Sequence, residues 1–208
     1  MRYSVIYADP PWKYNNRANH KTRFRGGACG HYQLMPMAEI ASLPIGDIAA
    51  ENSALFLWCT FPYLDEQITL FKHWGFKYRT VAFTWIKTNP DTREPFFGVG
   101  YYTKSNAEVC LLGVRGRMKP ISNAVSSVII APRQEHSRKP NEARQRIVQL
   151  FGDVLRIELF ARSRAPGWDV AGNSIDGCDM RETLAEIAAA PERPSVLAAR
   201  PAQVEMDL

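Results

Sequence analysis

The order of apolar segments constrains the fold of this chain more than any other feature. Short runs rich in β-branched and aromatic residues alternate with stretches in which apolar residues recur at helical spacing. Strands that alternate with helices in this way are typical of an α/β sheet. Six strands are predicted: Tyr3 to Ala8, Ala54 to Cys59, Thr80 to Lys87, Ala107 to Val114, Val128 to Ala131 and Leu155 to Phe160.

Two of the connecting segments are predicted to be helices. In "YLDEQITLFKHWG", four apolar residues recur at helical spacing and Gly75 provides a stop signal. In "KPNEARQRIVQLFG", Pro140 suits a first helical turn and Gly152 follows the last apolar residue. The composition changes after Gly177, where "CDMRETLAEIAAA" precedes a segment rich in Pro and Ala. A chain of 208 residues fits one ordinary domain, so we expect it to span residues 1–177, and residues 178–208 to form a short helix and a mobile tail.

The composition argues against several classes of protein. No apolar run reaches the roughly 18 residues that a membrane-spanning helix needs, and the polar start "MRYSVIYADP" lacks the apolar segment of a signal peptide. We therefore expect a cytoplasmic protein without a membrane partner. The four cysteines form no C-x-x-C pair, which predicts buried small side chains and neither a metal site nor a disulfide framework.

The charge distribution points towards a polyanionic partner. The chain carries a net charge of +5, and the excess of positive charge lies before residue 178 because the C-terminal segment is acidic overall. Nucleic acid is the partner class that such a basic body favours. Many small proteins are mildly basic without binding polyanions, so charge alone leaves an ordinary solvated surface as the alternative.

The stretch "YADPPWKY" places rigid and polar residues directly behind the first predicted strand. Ligands of a parallel α/β sheet bind at the carboxyl ends of its strands, and Asp9 occupies such an end. Pro10 and Pro11 restrict the backbone, so the Asp9 carboxylate and the Pro10 carbonyl become two fixed hydrogen-bond acceptors. Two acceptors that bind the two N–H groups of a nucleobase amine favour a pyramidal nitrogen, whose lone pair points at an electrophile. Trp12 offers a flat face on which the extruded base can stack. The alternative is a strand followed by a rigid turn.

Three further segments supply candidate binding residues. "KYNNRANHKTRFRGGACGHY" holds five Lys or Arg and three Gly in twenty residues, which fits either a basic lid over a substrate backbone or a solvated loop. "EHSRKPNE" concentrates His136, Arg138 and Lys139 before a helix N-terminus, which suits a carboxylate ligand unless the segment is a solvated turn. Lys87 and Glu108, near sheet edges, are further candidates for the substrate pocket. The lid residues assigned to substrate binding are Arg17, Lys21 and Arg23.

Nine segments, taken together, resemble a known family. In chain order they are "ADPPW", "GHYQLMPMAEIASLPI", "ALFLWCT", "HWGFKY", "FTWIKTN", "AEVCLLGVRG", "EHSRKPNE", "RIELFAR" and "PGWDVAGNSIDG". They cover roughly residues 3–177. The family is that of the adenine methyltransferases that include the catalytic subunit of the eukaryotic mRNA 6-methyladenosine writer and its compact bacterial and phage relatives. "ADPPW" resembles the catalytic motif of this family, so Asp9, Pro10, Pro11 and Trp12 are the candidate catalytic residues.

The resemblance implies a fold and an activity. The fold is a Rossmann-like α/β sheet with helices on both faces and a permuted motif order, in which the amine-activating motif precedes the main S-adenosylmethionine segment. The activity is methyl transfer from S-adenosylmethionine to the exocyclic amine of adenine in nucleic acid, without a metal. By resemblance, Tyr32 belongs to the target-base pocket and Lys139 lies near the amino-acid end of the cofactor. The other cofactor-binding candidates are Asp9 and His136, together with Arg162, Asn173 and Ser174, which match positions that contact the ribose and adenine in the family.

One segment departs from the family. Eukaryotic members have a longer loop with a His-Asn pair between the arginine that matches Arg162 and the tryptophan that matches Trp168, whereas this chain has only "SRAPG". Ser163 and Arg164 are the candidates to replace that pair. Two other functions stay open, namely a catalytically silent nucleic-acid-binding subunit, against which the intact "DPPW" argues, and methylation of another planar amine. The compact form favours DNA over RNA by analogy, and the oligomeric state is open, a dimer included.

Overall fold

The computed structural model of the chain describes residues 2–13, 34–100, 102–134 and 138–191. In these residues a single mixed sheet has the strand order β5-β3-β4-β2-β1-β6-β7. β4 runs antiparallel to its neighbours β2 and β3, and the other neighbouring strands run parallel. The strands are β1 (Tyr3–Ala8), β2 (Ala49–Cys59), β3 (Lys77–Thr88), β4 (Ala107–Arg115), β5 (Val128–Pro132), β6 (Arg156–Leu159) and β7 (Asp169–Ala171).

Helices connect most of the strands. Two short 3-10 helices, Ile45–Asp47 and Phe61–Tyr63, precede β2 and α2. The α-helices in the described ranges are α1 (Met37–Ala41), α2 (Leu64–His73), α3 (Asn141–Phe151), α4 (Asn173–Asp176) and α5 (Met180–Ala189). The Asp179 carboxylate begins α5 by accepting hydrogen bonds from two backbone N–H groups of its first turn.

The helices cover both faces of the sheet. Side chains of β1 alternate between the faces, so Ile6 and Ala8 join one hydrophobic cluster while Val5 and Tyr7 join another. The first cluster also receives buried side chains of α1, α2 and α5, namely Ile40, Leu70, Phe71, Met180 and Leu184. The second receives those of α3, namely Ala143, Ile147 and Phe151. The predicted α/β sheet with helices on both faces is therefore confirmed.

The six predicted strands are all present; β1 has the predicted ends, and the other five differ at one end or both. β2 begins at Ala49 rather than Ala54, because the strand continues through the polar residues "ENS", which carry no strand signal, and pairs again with β1 at Ala49, beyond a shift in register. β7, with three residues, and the short helices α1 and α4 were not predicted, since elements of this length show too little periodicity. The two predicted connecting helices are α2 and α3.

The predicted burial of the cysteines is confirmed for Cys59 and Cys110 and is wrong for Cys178. Cys178 is exposed because it follows the left-handed residue Gly177 in the surface turn between α4 and α5. Cys29 lies outside the described residues. None of the helices in the described part of the chain is long and apolar enough to cross a membrane.

The domain boundary at residue 177 stays a prediction. Met180 and Leu184 of α5 lie beyond it and belong to the same hydrophobic cluster as Ile6. The tail expected after α5 falls mostly on residues 192–208, which lie outside the described ranges.

Candidate active site

The direction of the strands brings five charged side chains to one edge of the sheet. Asp9 follows β1, Lys87 lies near the end of β3, and Arg162 follows β6. Because β4 runs antiparallel to β3, its second residue, Glu108, pairs in register with Trp85 at the same edge. Lys139 arrives there from the segment that precedes α3.

These five side chains, which we call the charged cluster, form a continuous series of contacts with alternating sign. The Lys87 ammonium contacts one oxygen of Glu108, and the Lys139 Nζ lies 3.1 Å from the other oxygen of that carboxylate. The same Nζ lies 2.8 Å from Asp9 Oδ1, and Arg162 Nη2 lies 3.8 Å from Asp9 Oδ2. Lys139 therefore joins the two carboxylates.

The electrostatics of the charged cluster keep Lys139 and Glu108 ionised. Burial alone opposes the charge on Lys139, but the carboxylates of Asp9 and Glu108 outweigh it and raise the pKa of Lys139 above its ordinary value. Burial likewise opposes the charge on Glu108, and the two lysines outweigh it and lower the Glu108 pKa. The Lys139 Nζ also lies 5.4 Å from the centre of the Trp58 ring, which favours a cation.

The "DPPW" segment forms a rigid turn beside the charged cluster. The Trp12 N–H donates to the Pro10 carbonyl at 2.9 Å, and the Met35 N–H donates to the Pro11 carbonyl at 2.8 Å. The Lys13 N–H donates in turn to the Met35 carbonyl at 3.1 Å. These hydrogen bonds hold the motif against the chain at Met35.

Trp12 is only 7% exposed and packs in the hydrophobic cluster that contains Ile6. Core side chains therefore cover most of its ring, and its role in stacking a base stays a prediction. The tryptophans expected in the core, Trp58, Trp74 and Trp85, are buried as predicted.

A cavity opens beside Asp9 on the face of the sheet that carries α1 and α5. Five residues singled out from the sequence line it: Asp9, Pro11, Arg162, Asn173 and Ser174. Other lining residues were not predicted from the sequence, namely the apolar residues Met35, Leu43 and Phe160, together with Glu39 and residues 179–181. Met35, Glu39 and Leu43 lie in one of the nine segments used for the resemblance, but nothing in their side-chain chemistry marks them as site residues.

The backbone at the floor of this cavity is tightly constrained. Phe160 has a positive φ of 59°, which is uncommon for a bulky residue and directs the chain out of β6 towards Arg162. Gly172 packs against the same turn, because a Cβ at this position would lie 2.4 Å from the Ala161 carbonyl oxygen. The absence of a side chain at Gly172 therefore allows the Arg162 and Asn173 segments to lie side by side.

The remaining candidates are distributed as follows. Lys87 and Glu108 belong to the charged cluster and are not among the residues that line the cavity. Ser163 is likewise absent from the cavity lining, and Arg164 lines a separate cleft with Arg138 and Trp168. Five candidates lie outside the described residues, namely Arg17, Lys21, Arg23, Tyr32 and His136. In the described ranges, no group of three or more His, Cys, Asp or Glu is placed to hold a metal ion.

Comparison with known proteins identifies the family. The MT-A70 family profile matches residues 3–174. A type II methyltransferase of a Mycoplasma species, M.MunI, is 33% identical over 191 residues, which cover 84% of this chain and 78% of that protein. The Homo sapiens N(6)-adenosine-methyltransferase catalytic subunit METTL3 is 28% identical over 180 residues, which cover 85% of this chain. The chain spans 29% of the length of METTL3 and 24% of that of the Arabidopsis thaliana MT-A70-like N(6)-adenosine-methyltransferase. The chain belongs to the MT-A70 family of methyltransferases.

Proposed function

We propose that this chain transfers a methyl group from S-adenosylmethionine to the exocyclic amine of adenine in DNA. The observation that carries the proposal is the position of Asp9. Its carboxylate follows the interior strand β1, is bound by Lys139, and lines the cavity that also contains Arg162, Asn173 and Ser174. An acceptor held in this way suits an amine substrate next to a cofactor site.

The cavity lining fits S-adenosylmethionine in its donor chemistry. Asp9 supplies a negative charge for the ammonium of the amino-acid group, and Arg162, Asn173 and Ser174 supply hydrogen-bonding groups for the ribose and adenine. Apolar side chains, among them Leu43 and Phe160, suit an adenine ring. When bound, S-adenosylmethionine supplies the electrophilic methyl group of its sulfonium.

The chemical task of the protein is to reorganise the amine. The lone pair of an exocyclic amine is delocalised into the base, so the nitrogen is a poor nucleophile until its N–H groups are fixed. The Asp9 carboxylate accepts one N–H, and the Pro10 carbonyl, which keeps a second lone pair beyond the one used by Trp12, accepts the other. The rigid proline turn holds both acceptors before the substrate arrives, which lowers the cost of ordering the transition state.

The charged cluster gives Lys139, Glu108 and Lys87 a positioning role. Lys139 fixes the Asp9 carboxylate through its contact at 2.8 Å. Glu108 fixes Lys139, and Lys87 neutralises Glu108, so the two carboxylates lie at one edge without an unpaired negative charge. Lys139 was expected at the amino-acid end of the cofactor, and its contact with Asp9 is compatible with that role because Asp9 lines the cofactor cavity.

DNA is the substrate that the comparisons favour. The chain covers 78% of M.MunI, whose name designates it a type II methyltransferase, the usual term for a DNA-modification enzyme. It covers only 24–29% of the N(6)-adenosine-methyltransferases of Arabidopsis thaliana and Homo sapiens. A chain that matches 78% of a type II methyltransferase shares most of that protein's sequence, which favours the same class of substrate. The nucleic-acid class thus rests on relatives, whereas the amine chemistry rests on the site.

A product analysis tests this proposal. The protein is incubated with S-adenosylmethionine and with single- and double-stranded DNA and RNA of matched sequence, and the nucleosides are analysed by mass spectrometry. We expect 6-methyldeoxyadenosine from DNA. Methylation of RNA alone would overturn the choice of DNA, and binding of DNA without any methylated nucleoside would indicate a silent binding subunit.

A further inference from the structure

We propose that α5 forms one wall of the cofactor site and contacts the nucleoside part of S-adenosylmethionine. The family match ends at residue 174, so α5 lies beyond the residues that the family profile covers. Residues 179–181 nevertheless line the cavity that Asp9 and Arg162 also line. This inference rests on the proposed function, because that function names the ligand.

Two sets of contacts hold α5 in this position. Met180 and Leu184 are buried in the hydrophobic cluster of the sheet. On the surface side, the Arg181 guanidinium donates to the Ser42 carbonyl oxygen at 3.0 Å and to Ser42 Oγ at 2.7 Å. Ser42 follows α1 and neighbours Leu43, which also lines the cavity. α5 is therefore tied both to the core and to the opposite wall.

The contacts of α5 determine which part of the ligand it suits. The Asp179 carboxylate already accepts the N–H groups of Arg181 and Glu182, and Arg181 is occupied by Ser42. The polar groups at the start of α5 are thus engaged within the protein, and Met180 is the apolar residue that it adds to the lining. A polarisable thioether packs well against an aromatic ring, so this wall suits adenine rather than the charged amino-acid group.

Calorimetry with S-adenosylhomocysteine tests the role of α5 by binding rather than by turnover. The test variant is Met180→Trp, which fills the space at the wall, and Met180→Leu is the volume-conserving comparison. Ala185→Trp places the same new side chain on an exposed position of α5 and is the matched control. We expect Met180→Trp to raise the Kd by about tenfold or more. Met180→Leu keeps the volume but removes the thioether, so it should raise the Kd by a smaller factor, and Ala185→Trp should bind like the wild type.

The outcomes separate the two proposals. A wild-type protein that does not bind S-adenosylhomocysteine overturns the proposed function and, with it, this inference. If the wild type binds S-adenosylhomocysteine and the Met180→Trp and Ala185→Trp proteins bind it with the same affinity, the role of α5 is overturned and the proposed function is not. If the Met180→Trp protein does not fold, amide hydrogen exchange of the wild type is measured with and without S-adenosylhomocysteine. The ligand should slow exchange in residues 180–184 more than in α2, which does not line the cavity. Unchanged exchange in α5 would contradict the inference.

Discussion

Asp9 makes the contacts on which the proposed chemistry depends. It lines the cavity and binds Lys139, so a substitution there affects both amine orientation and the charged cluster. We predict that Asp9→Asn lowers the rate of methyl transfer by about 100-fold or more, the usual effect of losing a preorganised charge-stabilising group. The folded state should survive, with a loss of about 1–3 kcal/mol because Lys139 keeps only part of its pairing. Single-turnover rates and chemical denaturation measure the two effects.

Asp65→Asn is the matched control for this prediction. It removes the same charge from the exposed first turn of α2, away from the cavity lining. An Asp9→Asn protein that keeps the turnover of the Asp65→Asn protein would exclude Asp9 from the chemistry.

Glu108 predicts a pH dependence of stability. Its pKa is lowered in the folded protein, so its contribution is fully present above the ordinary glutamate pKa of about 4.3 and is lost as the pH falls through the folded-state value. Glu108→Gln should therefore be less stable than the wild type at pH 7, and the difference should shrink below about pH 4. Urea denaturation at several pH values measures this, with the exposed Glu66→Gln as control. A pH-independent difference would mean that Glu108 does not act through its charge.

The sequence predicted the residues of the charged cluster better than their contacts. Asp9 and Arg162 were candidates because they follow predicted strands, and Lys87 and Glu108 because they lie near sheet edges. Lys139 was a candidate because it precedes a helix N-terminus and by the family resemblance. Their pairing was not predicted, since it depends on the antiparallel direction of β4, which turns the beginning of that strand towards the ends of its neighbours. Strand direction is a property of the whole sheet, and no local pattern in "AEVCLLGVR" encodes it.

At the scale of elements, the turn after β6 and the start of α4 determine the floor of the cavity. We predict that Gly172→Ala lowers the free energy of unfolding by about 1–3 kcal/mol, because the new Cβ would lie 2.4 Å from the Ala161 oxygen. Relief of this overlap displaces the neighbouring Arg162 or Asn173 segment. The Kd for S-adenosylhomocysteine should rise by about tenfold, equivalent to the loss of one hydrogen bond.

The variant Gly75→Ala distinguishes the effect of a strained backbone from the effect of displacing a segment that lines the cavity. Gly75 has a φ of 77° and nothing within 4 Å of a built Cβ, so this variant should cost about 1 kcal/mol of stability without changing the cofactor Kd. Equal effects of both variants on the Kd would show that Gly172 acts through stability alone.

The turn after β6 could not be predicted from the sequence, since β7 and α4 have only three and four residues. The close approach of Gly172 to Ala161 also joins two positions that are separated by ten residues of loop and strand.

At the scale of the whole molecule, the basic charge predicts how nucleic acid binds. Neutralising Arg17, Lys21, Arg23 and Arg25 together should weaken DNA binding and flatten the dependence of log affinity on log salt by about 0.7 to 0.9 units for each phosphate that is no longer neutralised. These residues lie outside the described ranges. The described residues Lys13 and Met35, on either side of residues 14–33, are hydrogen bonded beside the "DPPW" turn. Cofactor binding should be unchanged. An identical salt slope in the wild type and the quadruple variant would move the phosphate-binding residues elsewhere.

The central claim is that the exocyclic nitrogen of adenine receives the methyl group. It is tested most directly with an oligodeoxynucleotide that carries ¹⁵N at that nitrogen in every adenine and with S-adenosylmethionine that carries a deuterated methyl group. After digestion, tandem mass spectrometry identifies the atom to which the label is attached. We predict a methylamine fragment that contains both ¹⁵N and the deuterated methyl group, formed at least about 100-fold more slowly by the Asp9→Asn protein. A deuterated methyl group on a ring nitrogen or on another base would contradict it.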